Sequence, residues 1–251
     1  MIDFSPAFFA LAIPATIFAA VSKDGFGSGA AFVAAAMLAL ILPPGEALGV
    51  MLPLLMLIDV ASLKSYWGKW HAPSTRGMLI GAVPGVTIAA AIYAVVDPDV
   101  FRILIGVICL TFVAYQIAKA RHWIDVPNFS FSRPWAWTTG AVAGFTSFVS
   151  HAGGPPVAVF LLGQGMGKTT FQATTVITFW IINVMKFVPY VFLGIFTQQT
   201  ALASLILTPV AIIGTWLGVR AHYLVSERVF FAVTYVLLTV TGLRLLWVAL
   251  V

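Results

Sequence analysis

The sequence predicts an all-α fold: a polytopic membrane protein made of two inverted-topology repeats of about five helical segments each. Three observations predict it. Hydrophobic residues make up 61% of the 251-residue chain and charged residues 8%, against roughly 25% charged in ordinary soluble domains. Ten apolar segments follow one another, several of them close to the ~20 residues that a spanning helix needs. Two glycine-rich knots interrupt the pattern at matching places in the two halves, KDGFGSG over residues 23–29 and SHAGGPP over residues 150–156. Gly and Pro do not hold a regular helix. Non-helical backbone at membrane depth is tolerated where protein buries it or where it lines a watery cavity.

In chain order, the first half offers segments at about 6–22, 30–42, 47–63, 76–96 and 100–118. The second offers 135–149, 155–166, 170–196, 200–219 and 229–250. In each half the first two segments are short or re-entrant around the glycine-rich break. Segments 30–42 and 155–166 fall well under the ~20 residues of a full crossing. No Lys or Arg precedes Lys23, so the basic start of a cleaved signal peptide is missing, and segment 6–22 is expected to stay in the mature protein. The longest polar connection, Lys119 to Pro134, is too short to fold alone. The chain therefore reads as one membrane domain over residues 1–251, with repeat 1 at about 1–120 and repeat 2 at about 134–251.

The halves share an order of features: glycine-rich break, short helix, polar turn, long helix with a polar midpoint, proline-containing helix, final helix. A shift of 124 residues places Tyr66 on Tyr190 and Asp59 on Asn183. A shift of 125 places Pro84 on Pro209, and one of 129 places Val100 and Phe101 on Val229 and Phe230. Self-similarity of this kind is the mark of internal repetition.

Charge sets the expected orientation. Lys64, Lys69 and Arg76 flank one connection, Lys119, Arg121 and Arg133 a second, and Arg220 and Arg228 a third, while Lys168 lies in another. Basic connections face the cytoplasm. The alternate connections carry Glu46, then Asp97 and Asp99, then Thr197, Gln198 and Gln199, with Arg102 the main positive exception. Corresponding connections of the two halves thus fall on opposite faces, as inverted repeats require. Both termini are expected on the non-cytoplasmic side. Four pairs of glycines stand four residues apart, Gly25 and Gly29, Gly81 and Gly85, Gly140 and Gly144, Gly214 and Gly218, a spacing that lets membrane helices pack closely.

Two breaks at matching positions are the sequence mark of a transporter's binding site. A helix restarting after an unwound stretch presents free N–H groups and a positive dipole end, which together attract anions. The first break offers Ser22, Lys23, Asp24, Gly25, Gly27, Ser28 and Gly29; the second offers Ser150, His151, Gly153 and Gly154. Pro155 and Pro156 suit the first turn of the following helix. The alternative is a pair of plain tight turns. Ionisable groups inside apolar segments are functional candidates by default. Asp59 is a candidate for coupling to a proton or cation, as is Asp24; the alternative for Asp59 is a pair with Lys64. Asn183 and Lys186 share a helix face, and Lys186 would either meet an anionic substrate or hold a carboxylate such as Asp59 or Asp24. His151 would hold an anion, relay a proton, or be hydrogen-bonded structure. Arg244 reads as a snorkelling side chain.

Several other functions are excluded. The lone Cys109 leaves no disulfide framework. A formal charge of +5 does not mark a nucleic-acid partner, because no basic surface domain carries it. Gly163 to Thr169 looks like a P-loop, but that motif would need glycine where Leu162 stands. No HExxH or CxxC occurs, and no metal or cofactor is expected. Ser147 or Ser150 with a histidine would suggest an intramembrane protease, yet G-x-S-x-G is absent.

On the early break (Gly25, Gly27, Gly29), its partner (Gly153, Gly154, then Pro155 and Pro156), the two-half layout and the length, the chain resembles the TauE/SafE family, also called the 4-toluene sulfonate uptake permease family. The resemblance implies a permease of the bacterial inner membrane for small sulfur-containing anions such as sulfite, sulfoacetate or other organosulfonates. It implies transport without ATP hydrolysis, linked to an ion gradient. The residues alone imply a small anionic solute held between two broken-helix tips. The leading expectation is an alternating-access secondary transporter and not an enzyme; the alternatives are an anion channel and an intramembrane enzyme. The expected partners are the anion, a coupling proton or cation, and the lipid bilayer. The oligomeric state stays open, with a homodimer among the options.

Overall fold

A computed structural model describes residues 2–23, 30–124, 129–224 and 226–251. Among them are ten helices and no strand: α1 (Pro6–Val21), α2 (Phe32–Leu38), α3 (Pro44–Tyr66), α4 (Ala72–Val95), α5 (Pro98–Ala120), α6 (Arg133–Ser150), α7 (Gly154–Gly163), α8 (Lys168–Phe192), α9 (Gln198–Leu224) and α10 (Glu227–Leu250). Six of them, α3, α4, α5, α8, α9 and α10, are long and apolar enough to cross a membrane. Local chemistry sets the helix starts. Ser5 caps α1 by accepting from the Phe8 amide, and Ser226 caps α10 by accepting from the Val229 amide. Proline occupies the first turn of α1, α3, α4, α5, α6 and α7, where its missing N–H costs nothing.

The two short helices do not cross. With seven residues, α2 is about 10 Å long, and α7, with ten, about 15 Å, against a hydrocarbon core of about 30 Å. Each returns to the face from which its partner started. The Phe129 amide, just ahead of α6, donates to the Gly163 carbonyl at the end of α7 at 2.8 Å. The Ile2 amide, ahead of α1, donates to Gln199 Oε1 at the start of α9 at 2.7 Å. The turn after α2, residues 39–43, lies beside Arg102 in the first turns of α5. The segments at 6–22 with 30–42 and at 135–149 with 155–166 are therefore two re-entrant hairpins, and they dip in from opposite faces.

Helix pairing shows the inversion. Where a helix meets its counterpart in the other half, the two run antiparallel. In the α3–α8 pair, Asp59 bonds to Asn183, while Gly49, ten residues earlier, touches Ile195 just past the end of α8. In the α5–α10 pair, Gly106 meets Gly242 and Leu246, and Phe112 meets Tyr235. The largest of the remaining contacts come as exchanged pairs. Helix α4 packs on α6 and α9 on α1; α3 packs on α9 and α8 on α4. An in-plane pseudo-two-fold produces both features, whereas a repeat about the membrane normal would set counterparts parallel.

Small residues bring the hairpins close to the spanning helices. On α4, Gly77, Gly81 and Gly85 face Ala136, Trp137 and Ala141 of α6, and Gly140 and Gly144 of α6 face Met78 and Ala82 of α4. Gly214 of α9 sits against Ile17 and Ala20 of α1. Two of the glycine pairs spaced by four, and Gly214 of a third, thus contribute to helix contacts; Gly25 and Gly29 lie outside the described residues.

Candidate functional site

The hairpin tips meet at one cavity. Its walls carry Lys23 and Ala31 from the flanks of the first break, and Ser147, His151 and Gly154 from the second. Leu55, Asp59 and Ser62 of α3 and Gln172, Thr175, Val176, Phe179 and Asn183 of α8 complete it. Counted out to its mouth it holds ≈ 580 Å³. Besides Lys23, the half-buried members of its wall are Ser62, near the end of α3, and Gln172 and Thr175, near the start of α8, which sets its open side toward the face that carries the basic connections. At the other end the path is closed by rings. Fully buried Tyr190 donates its O–H to the Phe148 carbonyl at 2.6 Å. Its ring meets Phe148 edge-on at 4.9 Å, and Tyr93 meets Phe101 edge-on beyond at 4.6 Å.

Two polar clusters stand in and behind this cavity. In the first, the Lys23 ammonium pairs with Asp59 Oδ1 and lies 3.4 Å from the Leu55 carbonyl. The Asn183 amide donates to Asp59 Oδ2 at 3.0 Å. Asp59 is 1% exposed, so burial in the bundle, not a solvated helix end, defines its surroundings. Its cation comes from the first break instead of from Lys64. The Lys23 carbonyl in turn accepts from Gln172 Nε2 at 3.2 Å.

In the second cluster, Lys186 is fully buried. Its ammonium donates to the Ser147 carbonyl at 2.9 Å, to Ser147 Oγ at 3.0 Å and to His151 Nδ1 at 2.6 Å. These acceptors use all three of its donors. The other imidazole nitrogen, Nε2, lies 3.2 Å from the Leu48 carbonyl. A carbonyl only accepts, so Nε2 carries the hydrogen and Nδ1 accepts from Lys186; the partners assign the neutral tautomer. His151 has φ 58, a left-handed conformation uncommon for a residue with a Cβ. It ends α6 and turns its ring across to α3.

The second break delivers less backbone than its glycines promise. The His151 and Ala152 amides return to the Ser147 and Thr146 carbonyls. Pro155 and Pro156 bring no N–H. The start of α7 therefore offers the amides of Gly153 and Gly154 alone, together with the helix dipole. Gly153 serves packing: a Cβ there would press on the Phe179 ring, the Ala143 carbonyl and Ser147. Ser150 turns its hydroxyl back to the Thr146 carbonyl at 3.1 Å, and Ser22 is buried without lining the cavity.

Of the expected site residues, Lys23, Asp59, His151, Gly154 and Asn183 come together on the cavity wall. Lys186 stands one layer behind, holding His151 and Ser147. Asp24, Gly25, Gly27, Ser28 and Gly29 lie outside the described residues. Sequence reasoning missed Ser147, Gln172, Thr175 and Tyr190. The last three were readable from periodicity. Gln172, Thr175 and Val176, Phe179, Asn183, Lys186 and Tyr190 form one stripe of α8 at three- and four-residue spacing, running from the mouth through the site to the aromatic seal. Ser147 was readable from the shift of 124, which places it on Lys23.

No curated protein and no solved structure matches the chain. The model of the sulfite exporter TauE/SafE family matches residues 12–245, nearly its whole length and both hairpins. That match, beside six helices of spanning length among the described residues, shows that the chain belongs to the TauE/SafE family of membrane transporters.

Proposed function

We propose that this protein is an alternating-access secondary transporter of small sulfur-containing anions, with sulfite, sulfoacetate and other organosulfonates as the substrate class, coupled to an ion gradient. One observation carries the reading: the flanks of both breaks line a single cavity, and the described charged groups on its wall, Lys23 and Asp59, together with Lys186 one layer behind, sum to one positive charge. A monoanion entering it makes the site neutral, which offsets the cost of holding a charge away from water. Entering from the basic face, the anion meets the Asn183 amide, the His151 edge and the start of α7. Lys186 acts through His151 and Ser147 as a positioning residue. Asp59 is the group through which a proton would couple: protonating its carboxylate weakens its hold on Lys23 and frees that cation for the substrate. The aromatic seal beyond Lys186 supports a transporter over an open pore. We place the protein in the bacterial inner membrane, with the basic face in the cytoplasm and both termini on the other side.

Purified protein in liposomes tests the proposal by uptake of labelled sulfite and sulfoacetate. The expected result is saturable uptake above empty liposomes that responds to an imposed pH gradient. Folded protein that moves no small anion would overturn it, and single-channel currents would move it to the channel class.

A further inference from the structure

Two positive charges fit neither the transport cavity nor the orientation pattern. Arg102 is the exception among the acidic connections, and Arg244 stands two turns inside the end of α10 at Leu250. The structure brings both to one pocket of ≈ 500 Å³ on the face opposite the cavity mouth. Its other walls are Ala39 to Pro43, which follow α2, and Leu245 and Val248 of α10. Arg102 gives one guanidinium nitrogen to Asp99, leaving the rest of its five donors for another partner. Among the described residues no carboxylate pairs with Arg244. The two arginines and Asp99 leave a net charge of +1. The rim is apolar and open: Ile41 is 46% exposed and Val248 44%. Arg102 lies one turn into α5, about 6 Å below its start, and Arg244 lies at a similar depth near the end of α10. That is the boundary between headgroups and hydrocarbon, where arginine extends toward the polar side.

We infer that this pocket binds the phosphodiester of an anionic phospholipid, whose single negative charge matches the pocket and whose acyl chains cover Ile41 and Val248. Basic pockets between membrane helices take lipid headgroups in this way. Bound there, the lipid ties α5 and α10 to the turn after α2 and so steadies the base of the first hairpin. The site is separate from the transport cavity and stands without the function proposed above.

The test uses the full chain in detergent micelles, followed by thermal melting and by native mass spectrometry of bound lipid. Phosphatidylglycerol is expected to raise the melting temperature, and diacylglycerol with the same chains to leave it unchanged. The double variant Arg102→Gln, Arg244→Gln is expected to lose the phosphatidylglycerol shift, with affinity falling roughly fivefold per arginine. Arg244→Gln alone, at an exposed position without an ion pair, keeps the fold and reports half of that loss should the double variant not fold. A shift that stays undiminished in either variant overturns the site. An arginine-dependent shift of equal size from inorganic phosphate or sulfoacetate alone, in lipid-free micelles, overturns the lipid assignment and makes the pocket a free-anion station.

Discussion

At the scale of single residues, the site divides one task between the halves. The shift of 124 places Lys23 on Ser147, Asp59 on Asn183 and Ser62 on Lys186. In the first half a lysine on the hairpin reaches to α3; in the second a lysine on α8 reaches to the hairpin. Each lysine spans the same junction from the opposite side, and a carboxylate stands in one copy only. Asp59 is therefore the residue on which the charge balance turns. Changing Asp59→Asn keeps the shape and an acceptor for Lys23 but removes the counter-charge. Removing one partner of a buried pair costs about 3–5 kcal/mol. Lys23 is 17% exposed and reaches some solvent, so a loss of about 2 kcal/mol is expected, seen as a lower melting temperature, with anion flux down at least about tenfold. Adding Lys23→Met should recover stability but not flux. An Asp59→Asn protein that melts and transports like the parent removes the ion pair from the account.

At the scale of elements, the α4–α6 contact fixes the second hairpin, because glycines on both helices let the backbones touch. A side chain at Gly81 would run into the carbonyl of Trp137. Overpacking a tight contact costs about 1–3 kcal/mol. Gly81→Leu should therefore lower the melting temperature by several degrees and displace the hairpin that carries His151. Gly167→Ala, with no atom within 4 Å of the added carbon, should do neither; equal melting of the two variants would show that the contact is not tight. Most of this level was legible in the sequence, since all ten segments follow from apolar runs bounded by Gly, Pro and charge. Other features were not. Residues 39–42 read as helix because they are apolar, yet they turn so that α2 stays inside and gives way to the proline start of α3. The αL turn at His151 left no mark, because histidine does not announce a positive φ as glycine does. The prolines after Gly154 marked the start of α7 correctly, but the donors they remove make the second break a poorer anion cradle than glycine content suggests. Lys186 was legible as buried and polar. That it faces a histidine and not a carboxylate depends on the meeting of α6 and α8, which no local pattern encodes.

At the scale of the whole molecule, antiparallel counterparts mean that each face of the bundle repeats the other, while the cavity opens toward one of them. The seal lies at Tyr190, and its counterpart, Tyr66, ends α3 at the open face. Two halves of like build in unlike positions define a second arrangement in which they trade places: the Tyr190 side parts, the Tyr66 side closes, and hairpin tips held by small residues rock without losing their contacts. Thiol accessibility checks this. Cys109 is buried and would be changed to Ser to give a silent background. Thr175→Cys, on the cavity wall, should react with a membrane-impermeant maleimide from the basic face. Ser204→Cys, now buried and bonded to the Val50 carbonyl at 2.8 Å, should react slowly from either face. A gradient of sulfoacetate, which does not consume maleimide, should change the two rates in opposite senses, the reaction at Thr175→Cys slowing where that at Ser204→Cys from the acidic face speeds up, and reversing the gradient should reverse both changes. A fixed pore predicts that both sites react together and ignore the gradient. Modification of Thr175→Cys from the acidic face alone would mean that the cavity opens the other way, and would reverse the roles assigned to Tyr66 and Tyr190.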